Sequence, residues 1–113
     1  MIRIFGLKNC DTCRKALKSF AASKISVTFV DIREAPLNPG QIKSWIDDVG
    51  LETLVNKRST TWRTLNDEEK ASLAKDPVPL LLTHRTLIKR PVIENGDAVT
   101  AGWTEKLAKQ FTG

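Results

Sequence analysis

The sequence predicts one α/β domain built on a mixed sheet, and three stretches carry that prediction. Within the first 32 of its 113 residues a short apolar run is followed by a helical face and then by a second strand-like run. Such an order is a βαβ unit, whose two strands lie parallel with a right-handed crossover. Near the other end two apolar runs flank Asn95-Gly96, a dipeptide that accommodates the positive φ angles of a two-residue hairpin turn. A sheet holding both a parallel pair and an antiparallel hairpin is mixed. Between them, from Asn38 to His84, the pattern is helical.

Ile2 to Phe5 is β-branched and aromatic and is closed by Gly6, as in a buried strand. Cys13, Ala16, Leu17 and Phe20 then fall at i, i+3, i+4 and i+7, one face of a helix reaching about Ala22. Ile25, Val27 and Phe29 alternate with Ser26 and Thr28 as in a strand, and Val30 and Ile32 extend its apolar character. Asn38 as N-cap and Pro39 as first helical residue open a helix that carries Ile42, Trp45, Ile46 and Val49 and ends at Gly50. Asn66, with Glu69 three residues on, has the form of a capping box, and Asp67 and Glu68 favour the helix N-terminus. The leucine run after Asp76-Pro77 fits a buried strand or a short helix with Asp76 as its cap and Pro77 as its first residue, and the helix is the favoured reading. After the hairpin, Trp103, Leu107, Ala108 and Phe111 line the face of a last helix.

Composition narrows the class. With 41% hydrophobic and 27% charged residues the chain fits one compact globular domain. No apolar run approaches the roughly 20 residues that span a bilayer, and "MIRIFGLKNCD" lacks the long apolar segment of a secretory signal, so no membrane association and a cytoplasmic location are expected. The net charge of +5 favours anionic partners, but the basic residues are scattered from Arg3 to Lys109 with no run of five. That scatter gives no nucleic-acid footprint and is compatible with a small oxyanion or the carboxylates of glutathione.

The chemistry is concentrated in "FGLKNCDTCRKAL", which holds both cysteines, Cys10 and Cys13, at a strand-to-helix junction. In the cytosol thiols are kept reduced, and a disulfide closing so small a loop would restrict the unfolded chain little, which disfavours a structural staple. A closed zinc site needs four ligands, whereas the sequence offers two cysteines and one histidine, His84, better read as a helix-end or core residue. A reactive pair remains. A thiol at a helix N-terminus feels unpaired N–H groups and the positive end of the dipole, which can draw its pKa from about 8.5 to between ~3.5 and ~7.5. Cys10 is therefore the expected nucleophile. Cys13, one turn on and on the apolar face, is either its resolving thiol or a buried core cysteine.

Together, "NCDTCRKA", "VNKRSTTWRTL" and "LIKRPV" resemble the arsenate reductase (ArsC) and Spx family, in particular its YffB-type branch, over essentially the whole chain. The resemblance implies a thioredoxin-like fold in one domain, residues 1–113, with a helical insertion at about 38–84. It makes Cys10 the reactive thiol, Arg90 an active-site arginine followed by a cis Pro91, and Arg58 a second guanidinium facing the thiolate, suited to an oxyanion or carboxylate. Trp62 is read as a packing residue, and Lys57 and Arg63 as surface charges.

The pattern departs from arsenate reductases of the family in three places. Cys13 stands at a serine position, Asn56 falls where a first arginine would lie, and no basic residue occurs between Arg90 and Lys106. The implied function is a monomeric thiol–disulfide reductase with no bound cofactor. Glutathione would be its co-substrate, a glutaredoxin a redox partner, and any arsenate reduction weak or vestigial. The competing reading is a redox-sensing regulator of the Spx type that binds RNA polymerase.

Overall fold

The computed structural model describes residues 2–113. Two compact units emerge, one running to Ala35 and resuming at Arg90, the other formed by Pro36–Lys89. Residues 38–84, read as helical from the sequence, fall within the second unit.

The first unit contains β1 (Ile2–Gly6), α1 (Asp11–Ala22), β2 (Val27–Asp31), β3 (Val92–Asn95), β4 (Ala98–Ala101) and α7 (Glu105–Thr112), in one sheet of order β2-β1-β3-β4. β1 pairs parallel with β2 and antiparallel with β3, which pairs antiparallel with β4. The sheet is mixed, as the βαβ and hairpin signals require. Register explains its core: Ile4 lies opposite both Phe29 and Ile93, and Ile2 opposite Val27, so these side chains share one face. On that face Ile4, Ile93 and Phe20 of α1 are completely buried, with Leu17, Trp103 and Phe111 packed against them. Phe20, Trp103 and Phe111 form an aromatic trio, with centroids 5.4 Å apart for Phe20–Trp103 and 5.5 Å for Phe20–Phe111. Burying these rings fixes α1 against the sheet and so sets the position of its first turn.

Two sequence-based boundaries move. Ile25 lies before β2 rather than in it, its N–H donating to Phe20 O at 2.9 Å as the chain leaves α1. Trp103 precedes α7, where Thr104 is the N-cap, but its ring still stacks on Phe111 at 6.2 Å. The hairpin turn also shifts by one residue. Asn95 pairs with Ala98 in the ladder, leaving Gly96-Asp97 as the turn, and only Gly96 takes a positive φ, of 63°. A glycine there carries the conformation without the clash that a side chain would introduce.

The second unit contains α2 (Pro39–Val49), α3 (Leu51–Leu54), α4 (Thr60–Thr64), α5 (Asp67–Lys75), α6 (Pro77–Thr83) and a 3-10 turn, Arg85–Leu87. Asn38 Oδ1 accepts from Gln41 N–H at 2.8 Å, and Asn66 and Glu69 complete a reciprocal capping box at 2.8 and 3.1 Å. Asp76 occupies the cap position of α6, but its side chain makes no capping hydrogen bond, because its backbone (φ −150°, ψ 82°) departs from the usual cap conformation. Trp45, Ile42, Leu54, Leu81 and Leu87 are completely buried and form the core of this unit. The segment after α3 is tied to the end of the unit by Asn56 N–H to Leu87 O at 2.8 Å and Lys89 N–H to Leu54 O at 2.6 Å. His84 ends α6 and meets Glu69 at 3.1 Å, a helix-end histidine as read from the sequence. Among the described residues no helix is long and apolar enough to cross a membrane.

Candidate active site

Cys10 is the N-cap of α1, in extended conformation (φ −97°, ψ 121°). Its N–H donates to Leu7 O at 3.2 Å, and its carbonyl accepts the first helical bond, from Arg14 N–H, at 2.9 Å. The backbone is thus held on both sides of the residue. Serine, threonine, asparagine and aspartate usually fill this position because an oxygen there accepts from the N2 or N3 amide. Here a sulfur stands in that place, and the Cys13 and Thr12 amides favour its thiolate.

The two thiols are held in opposite states by their surroundings. Burial pushes the Cys10 thiol up, but the Cys13 amide, the Cys13 side chain, the Arg90 guanidinium and the Thr12 amide together outweigh it. The result is a Cys10 pKa below the ordinary thiol value. Cys13 is completely buried, and burial drives its pKa up to about 11, with proximity to Cys10 adding to the rise and the Leu7 amide and Arg90 opposing it. One sulfur is disposed to ionise and the other to keep its proton.

Gly6 makes the arrangement sterically feasible. A Cβ at this position would lie 2.5 Å from Cys13 Sγ, so only a glycine lets the end of β1 approach the buried thiol so closely. The sequence marked Gly6 merely as the end of a strand; the available signal was that a glycine inside an apolar strand often marks close approach by another group.

Cys10, Cys13, Arg90 and Pro91 belong to the first unit, and the Arg90-Pro91 bond is cis, as the resemblance implied. Pro91 is fully buried, and its carbonyl accepts from Gly102 N–H at 2.9 Å, which ties it to the segment after β4. Arg58 is an exposed residue of the second unit, in the loop between α3 and α4, where its N–H donates to Asn56 Oδ1 at 3.1 Å. Both cysteines are free, and among the described residues no three His, Cys, Asp or Glu side chains are grouped to hold a metal ion.

Comparison with known proteins fits this geometry. The family model described as the ArsC family matches residues 5–111. The chain belongs to the ArsC family. It is 41% identical over 107 residues to an uncharacterized protein of Haemophilus influenzae, covering 94% of each chain. It is 24% identical over 113 residues to the global transcriptional regulator Spx of Bacillus subtilis, covering 98% of this chain and 86% of that one. Among solved structures the YFFB protein superposes with a TM-score of 0.91 at 27% identity over 100% of both chains. An arsenate reductase (ArsC) related protein from Brucella melitensis does so with a TM-score of 0.76 at 28% identity, over 97% of this chain and 92% of that one. The fold is therefore thioredoxin-like of the ArsC type, with the cysteine pair at the start of its first helix.

Proposed function

We propose that this ArsC-family protein is a cytoplasmic thiol–disulfide reductase that uses Cys10 as nucleophile and glutathione as co-substrate. The observation that carries the reading is the split between the two thiols, Cys10 made acidic at the α1 N-cap beside Arg90 and Cys13 kept protonated beneath Gly6. The Cys10 thiolate attacks one sulfur of a mixed disulfide between a substrate thiol and glutathione. The S–S bond breaks, the substrate leaves as a thiolate that takes a proton from water, and glutathione stays on Cys10. A second glutathione thiolate then displaces it as oxidised glutathione and restores Cys10. Alternatively Cys13 gives up its proton and attacks the Cys10 sulfur, releasing glutathione and leaving a Cys10–Cys13 disulfide, which two external thiols or a glutaredoxin reduce. Arg90, whose guanidinium reaches Cys10, holds a carboxylate of glutathione or a small oxyanion. Arsenate reduction is expected to be weak, since Asn56 replaces the first arginine of the reductase pattern.

Mass spectrometry after incubation with oxidised glutathione tests this. Cys13→Ser should retain a stable glutathione adduct on Cys10, and Cys10→Ser should form none. Equal modification of Cys13 in Cys10→Ser would refute the assignment. A second reading, a redox-dependent regulator, is favoured by the match to Spx along 98% of the chain. Capture of the RNA polymerase α subunit that depends on the oxidation state of the pair, without glutathione-dependent turnover, would select it.

A further inference from the structure

A cleft of about 210 Å³ lies in the second unit, and neither cysteine nor Arg90 lines it. Its lining combines the apolar Leu51, Val55 and Leu73 with Trp62, Lys57 and Lys70. Both ammonium groups lie over the same indole ring, Lys57 Nζ 5.5 Å and Lys70 Nζ 5.3 Å from its centroid, within the roughly 6 Å at which an aromatic face attracts a cation. Neither lysine has a carboxylate within ion-pairing distance among the described residues. Glu52, the one acidic residue lining the cleft, is not paired with either.

Each ammonium is drawn to the ring by its quadrupole, and no carboxylate among the described residues neutralises either charge. An anion in the cleft would gain both charges at once, while the indole and the aliphatic wall would accept a flat apolar body. Small-molecule sites characteristically combine an apolar lining with a few convergent polar groups in this way, and this one is smaller than the ~300 Å³ at which drug-sized pockets begin. We propose that the Trp62–Lys57–Lys70 cleft binds a small planar anion, a single aromatic or comparably flat ring bearing a carboxylate or a phosphate.

The two head groups are distinguished by titrating benzoate and phenyl phosphate separately into the full-length protein, with benzyl alcohol and inorganic phosphate as controls. The readout is the Trp62 indole N–H resonance, assigned with Trp62→Phe. The expected result is a saturable shift with at least one aromatic anion at a Kd of about 1 mM or tighter. Lys57→Gln/Lys70→Gln should weaken that binding at least tenfold while leaving the remaining amide spectrum folded, and both controls should be far weaker. Three results would each overturn the proposal: no saturable shift with either anion, unchanged affinity in the folded double variant, or equal binding of a control.

Discussion

Gly6→Ala is the most informative single change to the geometry around the thiols. Its Cβ would lie 2.5 Å from Cys13 Sγ, well inside van der Waals contact, and both partners are buried. The sulfur has little room to yield, since Cys13 sits on α1, whose Phe20 is locked into the aromatic core. Overpacking of this kind costs roughly 1–3 kcal/mol. With a urea m-value of about 1–3 kcal/mol/M for a chain this size, the midpoint should fall by about 1 M. Removing the sulfur should remove the cost. In Cys13→Ala the next atom met is the Cβ of residue 13, at 3.5 Å, an ordinary contact, followed by Phe29 at 3.7 Å. In that background Gly6→Ala should be close to neutral, or stabilising by up to ~1 kcal/mol through the reduced freedom of the unfolded chain. Urea melts of the wild type, the two single variants and the double variant complete the cycle, with an expected coupling of about 1–3 kcal/mol. An equal cost of Gly6→Ala in both backgrounds would show that the strand end and the thiol are not in contact.

The Cys13 thiol should also make the protein sensitive to alkali. Its pKa in the fold, about 11, lies above the ordinary 9.0, so its contribution to stability is complete below about pH 9 and is lost as pH rises through 11. The loss should be about 2 kcal/mol in urea melts at pH 11 against pH 8, and Cys13→Ala should lack that part of it. Arg90→Met removes a hydrogen bond that favours the Cys10 thiolate and should slow alkylation of Cys10 at neutral pH several-fold, with no change once the chain is unfolded. Asn66→Ala removes one arm of the α5 capping box and leaves the Asn66 N–H to Glu69 bond without its reciprocal partner, which should cost about 1 kcal/mol in a urea melt.

Elements whose signals are local were legible in the sequence. The Asn38-Pro39 start, the Asn66/Glu69 box and the Cys13-Ala16-Phe20 face all form as read, because each depends on residues within one or two turns. The short helices α3 and α4 and the 3-10 turn at Arg85–Leu87 were not, since three to five residues are too few to show a helical period. The hairpin was legible but its register was not. An Asn-Gly pair marks a turn, and the cross-strand pairing of Asn95 with Ala98 decides which two residues make it. At the site, the division between Cys10 and Cys13 follows from helix periodicity. The contact between Gly6 and Cys13 and the approach of Lys57 and Lys70 to Trp62 come from tertiary packing, which the local sequence around Trp62 does not show.

The opposite shifts of the Cys10 and Cys13 thiols are open to direct measurement. Alkylation of the folded protein with iodoacetamide across a pH series, with Cys10 and Cys13 peptides quantified separately by mass spectrometry, measures both acidities at once. Cys10 should titrate below the ordinary 9.0 and be modified first, while Cys13 should resist modification until the pH nears 11 or the chain unfolds. Titration of Cys10 at or above 9.0, or modification of Cys13 at an equal rate near neutral pH, would show that the two thiols are not split in this way.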